Sequence, residues 1–470
     1  MKHRNLSRAV AIALLGLSGA ASAITDVENN SSIPFSFSSP GARSLGMGGA
    51  FIAVADDATA AYTNPAGLTG LGIEQQIGVE VRHTGFDDEF VQGGSASADA
   101  SDLSGLNYDK ASDSASNLSF LSWVMPRDNW ALALYRHELV NYQNSYSTDP
   151  INIGTAGAFI LPYDATTDLE IINYGASFGY KVNDHLSLGV GLSWYDFEIE
   201  TDETRYNPQL NNQVVSSQRQ DGGDHDFGFN LGLLFRGSDS FSIGLTYRSA
   251  PEFEYRATNV AGPAFLAGQL GIPGVFTGQL LADKNTRFKA PDTLGVGFNW
   301  RPSDNWSFSL DVNHVNYSNG TESMQNAFLN DPGNPLTITT QIPLPTVPPT
   351  PAGQQIPNIV ASEALAESVR RLQIDNTFEP RLGMEYAFAD KPLFLRAGIW
   401  HEARHTIRFE GDPTQGDPSS IPNAVLFSTG KDEMHYSLGA GWVFEKFQID
   451  AATDQSDRGD IYSVSGVWRF

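Results

Sequence analysis

The sequence predicts an all-β fold: a fourteen-stranded antiparallel transmembrane β-barrel. Three observations carry that expectation. Apolar residues recur at every second position in segment after segment, short polar turns alternate with long polar excursions, and the chain ends on an aromatic strand.

The alternation is clearest in FSIGLTYRS, where Phe241, Ile243, Leu245 and Tyr247 share one face and Ser242, Gly244, Thr246 and Arg248 the other. That is a strand with one apolar and one wet face. The same pattern runs through LSLGVGLSW (Leu186 to Trp194), FGFNLGLLF (Phe227 to Phe235), TLGVGFNW (Leu294 to Trp300) and YSLGAGWVF (Tyr436 to Phe444). Opposite faces hold mainly Gly, Ser, Asn and Thr. Turn chemistry is concentrated in the short connections MPRDN (125–129), KVNDH (181–185), RGSDS (236–240), RPSDN (301–305), FADKP (388–392) and FEK (444–446).

Reading strands between these marks gives 75–86, 118–127, 129–140, 168–181, 185–200, 225–236, 240–256, 286–301, 305–318, 374–388, 392–408, 432–445, 446–456 and 459–470. An even count returns the C-terminus to the side of the short turns, the periplasmic side of this class of barrel. The last strand places Tyr462, Val464, Trp468 and Phe470 on one face. A soluble two-sheet protein would also alternate. Trp130, Trp194, Trp300, Trp306, Trp400, Trp442 and Trp468 at strand ends, with the loop asymmetry, favour the membrane.

The opening residues 1–23 read as a secretory signal peptide: Lys2, Arg4 and Arg8 precede an apolar run ending in Ala21-Ser22-Ala23. That run is shorter than the roughly 20 residues of a spanning helix. No later stretch suits one either. Cysteine is absent, which removes disulfides, thiolate metal sites and Cys nucleophiles together. A formal charge of −25 disfavours nucleic acid as a partner. The nine His are scattered and no phosphate-cradling loop is present, so neither an enzyme, a metal nor a cofactor is expected.

Two excursions stand out. Residues 261–285 carry Phe265, Leu270 and Phe276 among other apolar side chains, too many for a connection that only meets water. The 319–373 excursion begins rich in Asn and Pro and turns to SEALAESVRRLQI, an amphipathic helix signal opened by Ser362. Tucking a loop onto the rim and contacting a ligand are both open to that helix.

Residues 31–71, SSIPFSFSSPGARSLGMGGAFIAVADDATAAYTNPAGLTGL, precede the first strand. The run Ser44 to Ala50, the tetrad Ala55-Asp56-Asp57-Ala58 and Asn64-Pro65-Ala66 resemble the FadL family of outer-membrane transporters for long-chain fatty acids and other hydrophobic compounds. The resemblance implies that 24–74 forms a hatch plugging a fourteen-strand barrel at 75–470. In a crowded lumen Gly and Ala allow close approach, Asp56, Asp57 and Asn64 satisfy backbone or lumenal donors, and Pro65 fixes the exit toward strand one. Capping a turn and gating are both open to the Asp pair. A calcium site would need further ligands at the right spacing.

The resemblance also implies passive uptake of hydrophobic molecules across a bacterial outer membrane. Ligand would dock on apolar loops, reach a lumenal site and displace the hatch. Outer-membrane lipid, lipopolysaccharide and the barrel assembly machinery are its expected partners. Arg248, Arg381 and Arg396 point into the lumen and could anchor a carboxylate head, with Phe394 and Trp400 along the tail, or could brace the barrel. The family's third strand carries a kink thought to open a lateral exit. Here 129–140 holds neither Gly nor Pro, so a bulge or another route would be needed. The hatch motif is shared in flavour with accessory or scaffold barrels in protein secretion, the alternative function.

Overall fold

The computed structural model describes residues 35, 37–154, 158–265, 277–278, 280–329, 370–411 and 420–470. The signal peptide, Leu270, Phe276 and the helix signal up to residue 369 lie outside the described residues.

Fourteen strands form the barrel. They are β1 (Gln76–Ala96), β2 (Leu106–Pro126), β3 (Trp130–Ser147), β4 (Tyr163–Lys181), β5 (Leu186–Asn207) and β6 (Gln213–Ser238). Next come β7 in two pieces (Phe241–Arg248 and Glu252–Ala261) and β8 in two (Leu280–Lys289 and Asp292–Ser303). The rest are β9 (Trp306–Asn316), β10 (Thr377–Ala387), β11 (Leu393–Glu402), β12 (Glu433–Val443), β13 (Phe447–Ser456) and β14 (Gly459–Arg469). Each pairs antiparallel with the next, and β14 closes on β1 from Gln76↔Arg469 to Phe86↔Gly459.

The apolar faces point outward. Leu192, Phe227 and Leu438 are 68%, 69% and 63% exposed, a state suited to lipid and costly in water.

Several strands run further toward the long loops than their apolar alternation indicates. β1 continues to Ala96 rather than 86, and β6 begins at Gln213 rather than 225. Hydrogen-bonded pairing persists where the outward residues cease to be apolar. On β5 they become Asp196, Glu198, Glu200 and Asp202, and Glu198 and Glu200 stand opposite Glu170 and Asp168 of β4. The wall therefore rises beyond the lipid band into a zone facing charged surroundings. The breaks in β7 and β8 fall at Pro251 and Pro291, which lack the N–H a ladder needs. A helix at Ser318–Leu329, unmarked by any clear period in the sequence, packs against β8.

Candidate ligand site and hatch

Residues 37–71 fill the lumen at the short-turn end. Small side chains set how close the hatch comes: a Cβ on Gly398 would sit 2.1 Å from the Gly48 nitrogen, and one on Gly189 2.3 Å from the Ala66 nitrogen. The Gly on the wet faces are thus seats for another stretch of backbone.

Buried polar side chains of the wall satisfy the hatch's main chain. Asp311 Oδ2 accepts from the N–H groups of Phe51 and Ile52 at 2.7 and 2.9 Å. Glu80 accepts from Gly41 N at 2.9 Å. Asn230 donates to the Tyr62 carbonyl at 3.1 Å, and Ser122, Ser177 and Ser242 donate to those of Ala58, Ala61 and Ala53. A compact segment with little regular structure thereby finds partners in the wall for backbone groups it cannot pair within itself.

The residues singled out in the hatch take distinct places. Asp56 binds Arg43 at 2.6 Å and Arg301 of β8 at 3.1 Å, bridging hatch to wall. Asp57 accepts from the N–H and hydroxyl of Thr59, a local turn cap. Burial pushes the Asp57 carboxyl up, against the pull of the Arg43 charge. Asn64 caps the 3₁₀ turn Pro65–Gly70 by accepting from Ala66 N, and its amide donates to the carbonyls of Ile52 and Leu233. Pro65 and Ala66 are fully enclosed beside Gly189 and Gly232.

Each lumenal Arg is occupied by protein groups. Arg248 donates to the carbonyls of Phe37 and Thr63 and lies over the Tyr62 ring at 4.4 Å. Arg381 pairs with Glu379 at 3.0 Å and lies over Trp400 at 4.0 Å. Arg396 pairs with Glu385 and Asp450, both at 2.7 Å, beside Phe394 near the periplasmic mouth. Trp400 donates to Asp454 and stacks on His435. Phe265 is buried near the β6 end, where neighbouring Ala264 N donates to the Val214 carbonyl.

None of these residues lines the apolar cavity under the long loops. That cavity, of about 50 Å³, is lined by Phe35, Leu169, Phe197, Ile199, Tyr255, Phe288 and Tyr317, with Lys289 and His405 at its edges. Phe35, in the leading part of the hatch, stacks on Phe37 at 5.2 Å and on Phe288 at 6.0 Å. The signal for this site was a reversal: in DFEIE the acids face outward, while Phe197 and Ile199 face in.

The third strand does break from its neighbour, through a bulge. Pairing of β2 with β3 runs from Pro126↔Ala131 only to Phe120↔His137. Leu139 is the extra residue between Glu138 and Val140 in the β3–β4 ladder. Beyond it rings of β3 meet rings of β1, with Tyr142 stacked on Phe86 at 5.1 Å and Tyr146 tilted against Phe90 at 4.2 Å. β2 remains with β1, so the β2–β3 ladder is open above the bulge.

A closed barrel with a hydrogen-bonded plug, an apolar cavity above it and a split in the wall define a plugged outer-membrane channel. The sequence profile of the outer membrane transport protein family OMPP1/FadL/TodX matches residues 35–456, and the chain belongs to that family. It is a bacterial outer-membrane barrel for transport of hydrophobic compounds.

Among solved structures, it is similar to a Pseudomonas aeruginosa FadL homologue at 18% identity and TM-score 0.62, covering 94% of this chain and 100% of that one. The Ralstonia pickettii toluene transporter TbuX matches at 15% identity and TM-score 0.53, over 93% and 99%. The Pseudomonas putida toluene transporter TodX matches at 13% and 0.51, over 93% and 98%. No curated protein matches the sequence.

Proposed function

We propose that the protein passively admits long-chain fatty acids or comparably hydrophobic molecules, and that the aromatic cavity under the long loops is where they bind before the hatch gives way. The observation that carries this is Phe35: an aromatic side chain from the hatch's leading end occupies an otherwise apolar site, as a ligand would. Free space of about 50 Å³ is too small for a long chain, so binding requires that ring to leave.

Movement of Phe35 pulls directly on Phe37, whose carbonyl is held by Arg248, and so on the plug. The split between β2 and β3 supplies a side route to the membrane. Arg248, Arg381 and Arg396 then act as braces, each satisfying hatch or wall groups.

The acids outside β4 and β5 face the lipopolysaccharide surface, and the terminal Phe470 suits recognition by the barrel assembly machinery. Titration of delipidated protein with oleate, a long alkane and an aromatic hydrocarbon, read by native mass spectrometry, tests the site. Stoichiometric binding that is lost in Phe288→Trp supports it; binding indifferent to that substitution rejects it.

A further inference from the structure

The cavity is almost wholly apolar, yet one of its lining side chains, His405, buries a ring nitrogen that has no hydrogen-bond partner among the described residues. His405 is 6% exposed and stacks flat on Tyr317, with centroids 4.5 Å apart and planes 11° from parallel. Its Nδ1 lies 3.2 Å from the Ala403 carbonyl oxygen. A carbonyl only accepts, so Nδ1 carries a hydrogen and Nε2 is the open position. No hydrogen-bond partner among the described residues reaches Nε2. A buried nitrogen left unpaired costs stability, and a ligand that pairs with it recovers that cost.

We propose that His405 Nε2 is the head-group contact of the cavity, selecting hydrophobic molecules with a terminal hydroxyl or carboxyl over hydrocarbons of equal length. This rests on the reading of the cavity as the ligand site. A neutral imidazole accepts from an O–H at Nε2, and an imidazole with a second proton donates there to a carboxylate. A hydrocarbon does neither. Lys289 is the charged side chain among the lining residues, 3.8 Å from Asp292. A point charge there favours a carboxylate but not an alcohol, so an alcohol isolates the contribution of His405.

The test is native mass spectrometry of the delipidated full chain with 1-dodecanol, dodecanoate and dodecane. The unsubstituted protein should prefer the two oxygenated ligands by about tenfold, the effect of one satisfied buried partner. His405→Phe keeps the ring stack and removes Nε2; it should erase the preference for 1-dodecanol while leaving dodecane binding intact. His405→Gln should restore part of it, and Lys289→Met should leave it unchanged. An unsubstituted protein without preference, or His405→Phe that retains it, overturns the assignment. If Phe288→Trp leaves all three ligands bound, the cavity is not the site and the His405 assignment falls with it. If only the His405 variants lack effect, the cavity stands and its head-group contact lies elsewhere.

Discussion

The two ends of the lumen are filled in opposite ways. At the short-turn end, hatch and wall meet through hydrogen bonds between main chain and buried Asp, Glu, Asn and Ser side chains, over Gly seats with no room for a Cβ. Under the long loops they meet through rings: Phe35 and Phe37 against Phe288 and Tyr317, with a cavity between. Hydrogen bonds are directional and fix one geometry, whereas apolar contact tolerates exchange of one partner for another. The lower end is built to seal. On the function proposed above, the upper end is the part a ligand displaces.

The strongest way to break this contrast is to remove the seal. Deleting 42–66 should raise the permeability of liposomes to small polar solutes on the order of tenfold, toward that of an open barrel; unchanged flux would mean these residues do not plug the lumen. Next, Asp311→Ala leaves the N–H groups of Phe51 and Ile52 without their acceptor, at about 1–3 kcal/mol for an unsatisfied buried group. Limited proteolysis of the hatch should accelerate while the barrel itself stays resistant.

At the upper end, Phe35→Ala should tighten ligand binding by vacating the cavity and leave solute leakage at the parental level, separating the two functions in one variant. Weakened binding would show that Phe35 assists the ligand instead of competing with it. The smallest effect belongs to Asp56→Asn. Its ion pairs with Arg43 and Arg301 are partly exposed, and such pairs are worth about 0–1 kcal/mol, so thermal stability should shift little.

How much was legible follows the same division. The barrel could be read because lipid demands an apolar residue at every second position, and Leu186 to Trp194 obeys that rule openly. Strand ends above the lipid were lost because residues such as Asp87 and Glu89 of β1 and Arg219 and Asp221 of β6 abandon the rule while their backbones go on pairing. Local hatch chemistry was readable at Asn64 and Pro65, where a cap and a fixed φ act within a few residues. The occupancy of Arg248 and Arg396 depends on partners distant in sequence, the Thr63 carbonyl and Asp450, whereas Arg381 pairs with Glu379 two residues away. The cavity gathers residues from β4, β5, β7 and β8, with Tyr317 just past β9 and His405 in the segment after β11, a grouping no local pattern announces. Leu139 illustrates the same limit, since its bulge carries neither Gly nor Pro.

The seam between the first and last strands sets an order of events in biogenesis. Glu80 of β1 accepts from Gly41 of the hatch at 2.9 Å and from Ser463 of β14 at 2.6 Å. Ala42 donates to Ser465 of β14, a contact spanning 423 residues of sequence. A hatch synthesised first has no complete berth until the final strand arrives, and these long-range contacts form late and slowly. Full seating of the plug therefore waits on closure of the cylinder, and a chain truncated at β14 would lose the Ser463 and Ser465 contacts along with the closed wall.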